Sequence, residues 1–95
     1  MIPPLSEIRL VAPDHVVARV VDGMTVLLDV DSGRTFSFDD VGTRAWQALT
    51  ESPNAQDALA KLLALYDASP AVLERDLVAM IERLSGSNLV QVLPR

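Results

Sequence analysis

VVDGMTVLLDVDSGRTFSF, residues 20–38, packs two turn signals between three β-rich runs. Asp22-Gly23 lies between two runs of β-branched residues, and both positions tolerate φ > 0, the requirement of a two-residue hairpin turn. The run before it, Val16–Val21, is one short strand. Thr25–Val30 alternates, with Val26, Leu28 and Val30 on one face and Thr25, Leu27 and Asp29 on the other. Asp31-Ser32-Gly33 supplies a second turn, and Arg34–Phe38 a third strand with Phe36 and Phe38 pointing one way and Thr35 and Ser37 the other. The pattern predicts a three-stranded antiparallel meander. Its strands are too short to stand alone, so helices must cover one face, and an outer strand keeps unpaired amides and carbonyls.

Working outward, the C-terminal half supplies those helices. Asp39 caps the first, which shows Val41, Ala45 and Leu49 at four-residue spacing beside Trp46. Gly42 in its first turn implies close approach of another backbone. Glu51-Ser52-Pro53 breaks that helix. Asn54 caps the second, with Asp57 as a weaker capping-box partner, and Ala55, Leu59, Leu62 and Tyr66 form its buried stripe with Leu63 beside it. Ser69-Pro70 opens the third, Ser as cap and Pro in the first turn. Leu73, Leu77, Met80, Ile81 and Leu84 make its inner face, and Gly86 ends it. Leu89–Leu93 reads as a short strand or an extended tail. Residues 1–14, with Pro3, Pro4 and Pro13, read as an extended arm with Leu10–Ala12 laid against the body, and residues 15–93 as one domain. The order of elements predicts an α+β fold of winged-helix type.

Ninety-five residues suffice for one modest core. Hydrophobic residues make up 49% of the chain but aromatics only 4%, so that core is built from Leu, Val and Ala. With no cysteine, disulfides, thiolate zinc sites and a cysteine nucleophile are excluded. The N-terminus does not read as a signal peptide, and no apolar stretch approaches the roughly 20 residues that span a bilayer. A soluble, cytoplasmic protein without a membrane partner is expected. The net charge is −5, and Lys61 is the only lysine.

Catalytic and ligand chemistry finds little support. His15, the only histidine, sits in a Pro-Asp-His stretch with no G-x-S-x-G elbow elsewhere, which suits a turn-capping role. No Gly-rich loop precedes a helix. D-V-D-S-G at 29–33 resembles the opening of a calcium loop, but Gly33 and Arg34 fall at the wrong positions and Asp40 stands where the bidentate Glu belongs, so a tight turn explains it better. The acidic residues scatter without a pair suited to glycoside chemistry. A non-enzymatic chain with no metal and no cofactor is expected. DNA reading by the third helix would rest on Arg75 and Arg83, but Glu74, Asp76 and Glu82 interrupt any basic stripe, so no nucleic-acid partner is expected.

The ordered series Val26-Leu27-Leu28-Asp29, Ser32-Gly33, then Asp39, Val41, Gly42, Arg44 and Trp46 resembles the PqqD-like domains, the peptide-recognition elements of ribosomally synthesised, post-translationally modified peptide (RiPP) pathways. Leu62 with Tyr66-Asp67, Glu74-Arg75-Asp76-Leu77, Leu84 and Asn88-Leu89-Val90 continue the resemblance, which spans about residues 15–92. The D-x-x-S-G turn and aromatic third strand look most like the stand-alone leader-binding proteins of lasso-peptide clusters; the pyrroloquinoline-quinone chaperone usually has a Pro-Glu-Gly turn there. Two departures stand out. Asp39 replaces the usual Asn cap, and Ser85-Gly86-Ser87-Asn88-Leu89 separates the last Gly from the apolar pair that normally follows it.

The resemblance implies a function for the open strand. In these proteins the leader segment of a precursor peptide adds to the sheet beside the third strand, and its apolar side chains enter a groove against the third helix. Here the edge would be Arg34, Thr35, Phe36, Ser37 and Phe38. On a helical wheel Val72, Asp76, Ala79, Met80 and Arg83 cluster off the core line and could face the groove. Lasso-type leaders carry a Tyr-x-x-Pro element, for which Ala79 and Met80 with Arg83 or Asp76 offer an apolar slot beside a polar group. The implied partners are a precursor leader, a transglutaminase-like leader peptidase and a cyclase, with homodimerisation through the bare edge also open. Two other readings remain: a chaperone serving a radical SAM or other modifying enzyme, and a winged-helix DNA-binding regulator. If the protein's own tail occupied the rim, the peptide-binding expectation would fail.

Overall fold

Asp22 and Gly23 both adopt positive φ, at 53° and 77°, and so join β2 (Val16–Val21) to β3 (Met24–Asp29) through a two-residue turn. At the next turn Gly33 is also left-handed, at 75°, and leads into β4 (Thr35–Phe38). The structure, a computed structural model, describes residues 2–94. The three strands form an antiparallel sheet in the order β2-β3-β4, with Val16 opposite Asp29 and Thr25 opposite Phe38. Three helices follow: α1 (Asp40–Glu51), α2 (Ala55–Leu65) and α3 (Pro70–Gly86). This is the α+β, winged-helix-like arrangement that the sequence pattern predicts.

The second turn needs no ion. Asp29 Oδ1 accepts the amides of Asp31 (3.0 Å) and Ser32 (3.3 Å), and its backbone carbonyl accepts the Gly33 amide (2.8 Å). Burial pushes the Asp29 carboxyl up, but the Ser32 and Asp31 amides, the Ser32 hydroxyl and the charge of His15 outweigh it and hold the pKa below its ordinary value.

Leu27 and Thr25 face the helices and are fully buried, which places the inner face of the meander on the Thr25–Leu27–Asp29 side. The opposite face leaves Val21, Met24, Leu28 and Val30 exposed. Inward polarity at Thr25 is satisfied by α1: its amide and hydroxyl both donate to Thr43 Oγ1, at 2.8 and 2.9 Å. Thr43 therefore takes the inward position in the first turn of α1, and Val41, expected on the buried stripe, is half exposed. Ala45, Trp46, Ala48 and Leu49 carry the rest of that stripe into the core.

Two other local expectations are refined. Asn54 caps α2 by accepting the Asp57 amide (2.9 Å), and Asp57 returns a contact to the Asn54 side-chain amide (3.2 Å) rather than to its backbone. Ser69 makes no side-chain cap on α3, although Pro70 does open the helix. At the other end α3 stops at Gly86, as expected, and the chain turns at Asn88, whose φ is 59°. The Leu89 amide reaches Leu84 O (2.9 Å) and the Asn88 amide reaches Ser85 O (3.1 Å), the paired bonds of a Schellman stop with Leu84 and Leu89 both buried.

The termini differ most from the sequence reading. After a single 3-10 turn (Leu5–Glu7), residues expected as an extended arm form β1 (Ile8–Val11), which pairs antiparallel with β5 (Gln91–Pro94) from Ile8–Pro94 to Val11–Gln91. Leu5, Ile8 and Leu10 are buried with Leu59, Leu77, Ile81, Leu89 and Val90 in one core. Leu5, Ile8 and Leu10 thus place this N-terminal segment inside the packing of the domain.

Candidate functional site

An antiparallel ladder alternates pairs that exchange hydrogen bonds with pairs that do not. The Asp29 amide donates to Arg34 O (2.9 Å), so Asp29–Arg34 is a bonded pair. Counting two residues at a time along the register, Leu27–Phe36 and Thr25–Phe38 turn toward each other, while Leu28–Thr35 and Val26–Ser37 do not. The amides and carbonyls of Thr35 and Ser37 therefore point away from β3. Among the described residues, β4 has no second neighbour in the sheet. The C-terminal tail, the segment best placed by sequence to cover this rim, pairs with β1 instead.

Behind the rim lies a cleft of about 400 Å³, within the roughly 300–1,000 Å³ usual for a binding pocket. Phe36 and Phe38 of β4 form one wall, and Met80, Arg83 and Leu84 of α3 the other. Asp39 and Gly42 close one end, while Ser87 and Leu89 of the Schellman turn contribute from the end of α3. Both aromatic rings of the β4 wall are braced by neighbours. Phe38 packs on Trp46 with ring centroids 6.3 Å apart, and the Arg34 guanidinium sits 5.1 Å from the centroid of Phe36. His15 Nε2 donates to Asn88 O at 2.9 Å, which ties the turn beside Leu89 to the loop before β2 and puts the ring proton on Nε2.

Gly42 has a physical role here, though not the one expected. A Cβ at this position would lie 2.8 Å from Phe38 Cβ and 3.3 Å from Phe38 Cγ. It is therefore a side chain, not another backbone, that requires glycine, and it is a side chain of the cleft wall. Asp39 fixes the same corner by accepting the Gly42 amide at 2.8 Å.

Of the residues singled out by sequence, Phe36, Ser37, Phe38, Met80 and Arg83 meet at this cleft. Arg34 flanks it through Phe36, and Thr35 lies on the rim with its side chain exposed. Val72, Asp76 and Ala79 are exposed and do not line it. Asp76 instead meets Arg75 at 3.7 Å in a solvated ion pair. A helical wheel orders residues around the axis but not along it. Val72 lies about 12 Å along the axis from Met80 at 1.5 Å per residue, and β4 faces only the C-terminal half of α3. Asp39, Gly42, Leu84, Ser87 and Leu89 join the lining without having been picked for it. The odd glycine in the first turn of α1 is the one sequence feature that marks this corner.

Comparison with known proteins agrees with this geometry. A family model described as Coenzyme PQQ synthesis protein D (PqqD) matches residues 24–90. A solved structure described as TbiB1 in complex with the TbiA(beta) leader peptide is 30% identical, covers 84% of this chain and 93% of its own, and superposes with a TM-score of 0.78. Another, described as lasso peptide synthetase B1 complexed with the leader peptide, is 25% identical, covers 90% of this chain and 98% of its own, and has a TM-score of 0.77. A search of curated protein sequences gave no match. With its family match running from the first residue of β3 through the end of the Schellman turn, the chain belongs to the PqqD family.

Proposed function

We propose that this chain is a RiPP recognition element that binds the leader segment of a ribosomal precursor peptide in lasso-peptide maturation, by strand addition to β4. The observation that carries the reading is the free rim of Thr35 and Ser37 with an apolar cleft directly behind it. Rim hydrogen bonds accept any extended backbone, and the cleft selects side chains. Ordering a peptide costs about 1–2 kcal/mol per residue, so strand pairing alone is marginal. Two or three apolar side chains buried among Phe36, Phe38, Met80, Leu84 and Leu89 contribute roughly 1.5–3 kcal/mol each and lift the affinity to micromolar or better.

In this reading the protein performs no chemistry itself. Its histidine is held against the Asn88 carbonyl, and no nucleophile is bonded to it among the described residues. It hands the leader to a separate transglutaminase-like peptidase, with the cyclase as a further candidate partner. Rim-to-rim pairing of two copies would use the same β4 edge and compete with the leader. The PqqD family match keeps one second reading, a chaperone for a radical SAM enzyme. Neighbouring reading frames discriminate: a short precursor beside a peptidase and an asparagine-synthetase-like cyclase supports the first, and a radical enzyme the second. Titrating the labelled leader of the adjacent precursor into the purified protein tests both; saturable binding is expected, and its absence would refute them together.

A further inference from the structure

We propose that Arg83 makes the cleft selective for an extended peptide bearing an acidic side chain on the same strand face as an apolar anchor. This rests on the strand-addition reading and adds the chemistry of the ligand to it. The cleft lining holds two formal charges, Asp39 and Arg83, among apolar and neutral residues. Asp39 is already compensated: it accepts the Gly42 amide at 2.8 Å and sits at the N-terminus of α1, where the helix dipole favours an anion. Arg83 has no carboxylate within ion-pair distance among the described residues. The C-terminal end of α3 offsets part of its charge, as it does for any cation in a last helical turn. In a chain of net charge −5, the cleft thus presents a cation with no carboxylate partner among the described residues.

A second cation reinforces the sign. Arg34 lies on the cleft side of β4, by the same alternation that sends Phe36 and Phe38 inward, and its guanidinium covers Phe36. A strand added along Thr35 and Ser37 sends every other side chain toward this face. An acidic residue there meets Arg83 across a partly desolvated cleft, where a charge-assisted hydrogen bond is stronger than in open water. An apolar residue two or four positions away on the same strand shares the face and reaches Phe38, Met80 or Leu89.

The test is selection of random linear displayed peptides on the intact protein, run in parallel on wild type, Arg83→Met and Arg83→Glu. Wild type is expected to enrich Asp or Glu two or four residues from an apolar position. Arg83→Met keeps the apolar preference and loses the acidic one, and Arg83→Glu replaces it with Lys or Arg. In an enriched peptide, changing the acid to its amide should weaken wild-type binding about tenfold and leave Arg83→Met unchanged. A residue that merely supports the end of α3 would not move with the charge of the peptide. Enriched peptides with no acidic preference, or a preference that persists in Arg83→Glu, overturn the inference and leave strand addition standing. Failure to enrich any extended peptide overturns strand addition as well.

Discussion

Replacing Ser37 by proline separates the backbone of the rim from its side chains. Ser37 pairs with Val26 at a position that makes no hydrogen bonds to β3, so its amide is available to a ligand and its loss breaks no bond within the sheet. Phe36, the residue before it, is extended, a conformation compatible with a following proline. The substitution removes one donor and leaves a ligand carbonyl facing the ring. One net hydrogen bond is worth about 0.5–1.5 kcal/mol, and an acceptor stranded against protein costs about 1–3 kcal/mol. Binding should therefore weaken by a factor of about 5–150, with 1.4 kcal/mol equal to tenfold. Ser37→Ala, which keeps the amide, should bind close to wild type, and Phe36→Pro, which cuts an inward bond of the ladder, should destabilise the fold. Fluorescence anisotropy with a labelled leader, beside urea denaturation of each variant, reads both quantities. Equal affinity of Ser37→Pro and wild type, with both folded, would refute the assignment of the rim.

The remaining predictions concern how the cleft is held. Gly42→Ala places a methyl 2.8 Å from Phe38 Cβ; overpacking of this kind costs about 1–3 kcal/mol, and displacing Phe38 should weaken leader binding as well, measured by denaturation and titration. Trp46→Ala empties the space behind Phe38, where the indole is buried, and should cost about 3–5 kcal/mol in urea unfolding. Asp29 has a lowered pKa in the folded chain, so its contribution is present above the ordinary carboxylate value near 3.9 and is lost as the pH falls through the folded value. An NMR titration should place its midpoint below that of an unperturbed Asp, and Asp29→Asn should remove that part of the acid-induced loss of stability.

How far the sequence could be read depended on the range of the interactions. Asp22-Gly23, Gly33 and Asn54 act within a few residues, and each takes its expected conformation or bond. Helix termini were less legible where two stops compete. α3 ends at Gly86 as the sequence suggests, but the left-handed turn falls two residues later at Asn88, where it registers Leu89 on Leu84. Val41 and Thr43 exchanged roles because a buried Thr25 needed a partner, a demand visible only once β3 lies on α1. The β1–β5 pairing joins residues 8–11 to 91–94, and two four-residue segments carry no local mark of a register over that separation. For the cleft, periodicity identified the face of α3 but not which half of its length β4 meets. Met80 and Arg83 were therefore found together with Val72 and Asp76 from farther along the axis, and with Ala79, which adjoins Met80 but is exposed and outside the lining.

Amide hydrogen exchange of residues 35–38, with and without a saturating leader peptide, tests strand addition most directly. In the free protein the Phe36 and Phe38 amides face β3, whereas those of Thr35 and Ser37 face solvent and exchange fast. On binding, the account predicts that Thr35 and Ser37 become protected while the amides of the opposite outer strand, β2, are unchanged. Protection that appears on β2, or a bound peptide that leaves Thr35 and Ser37 exchanging as fast as before, would contradict it.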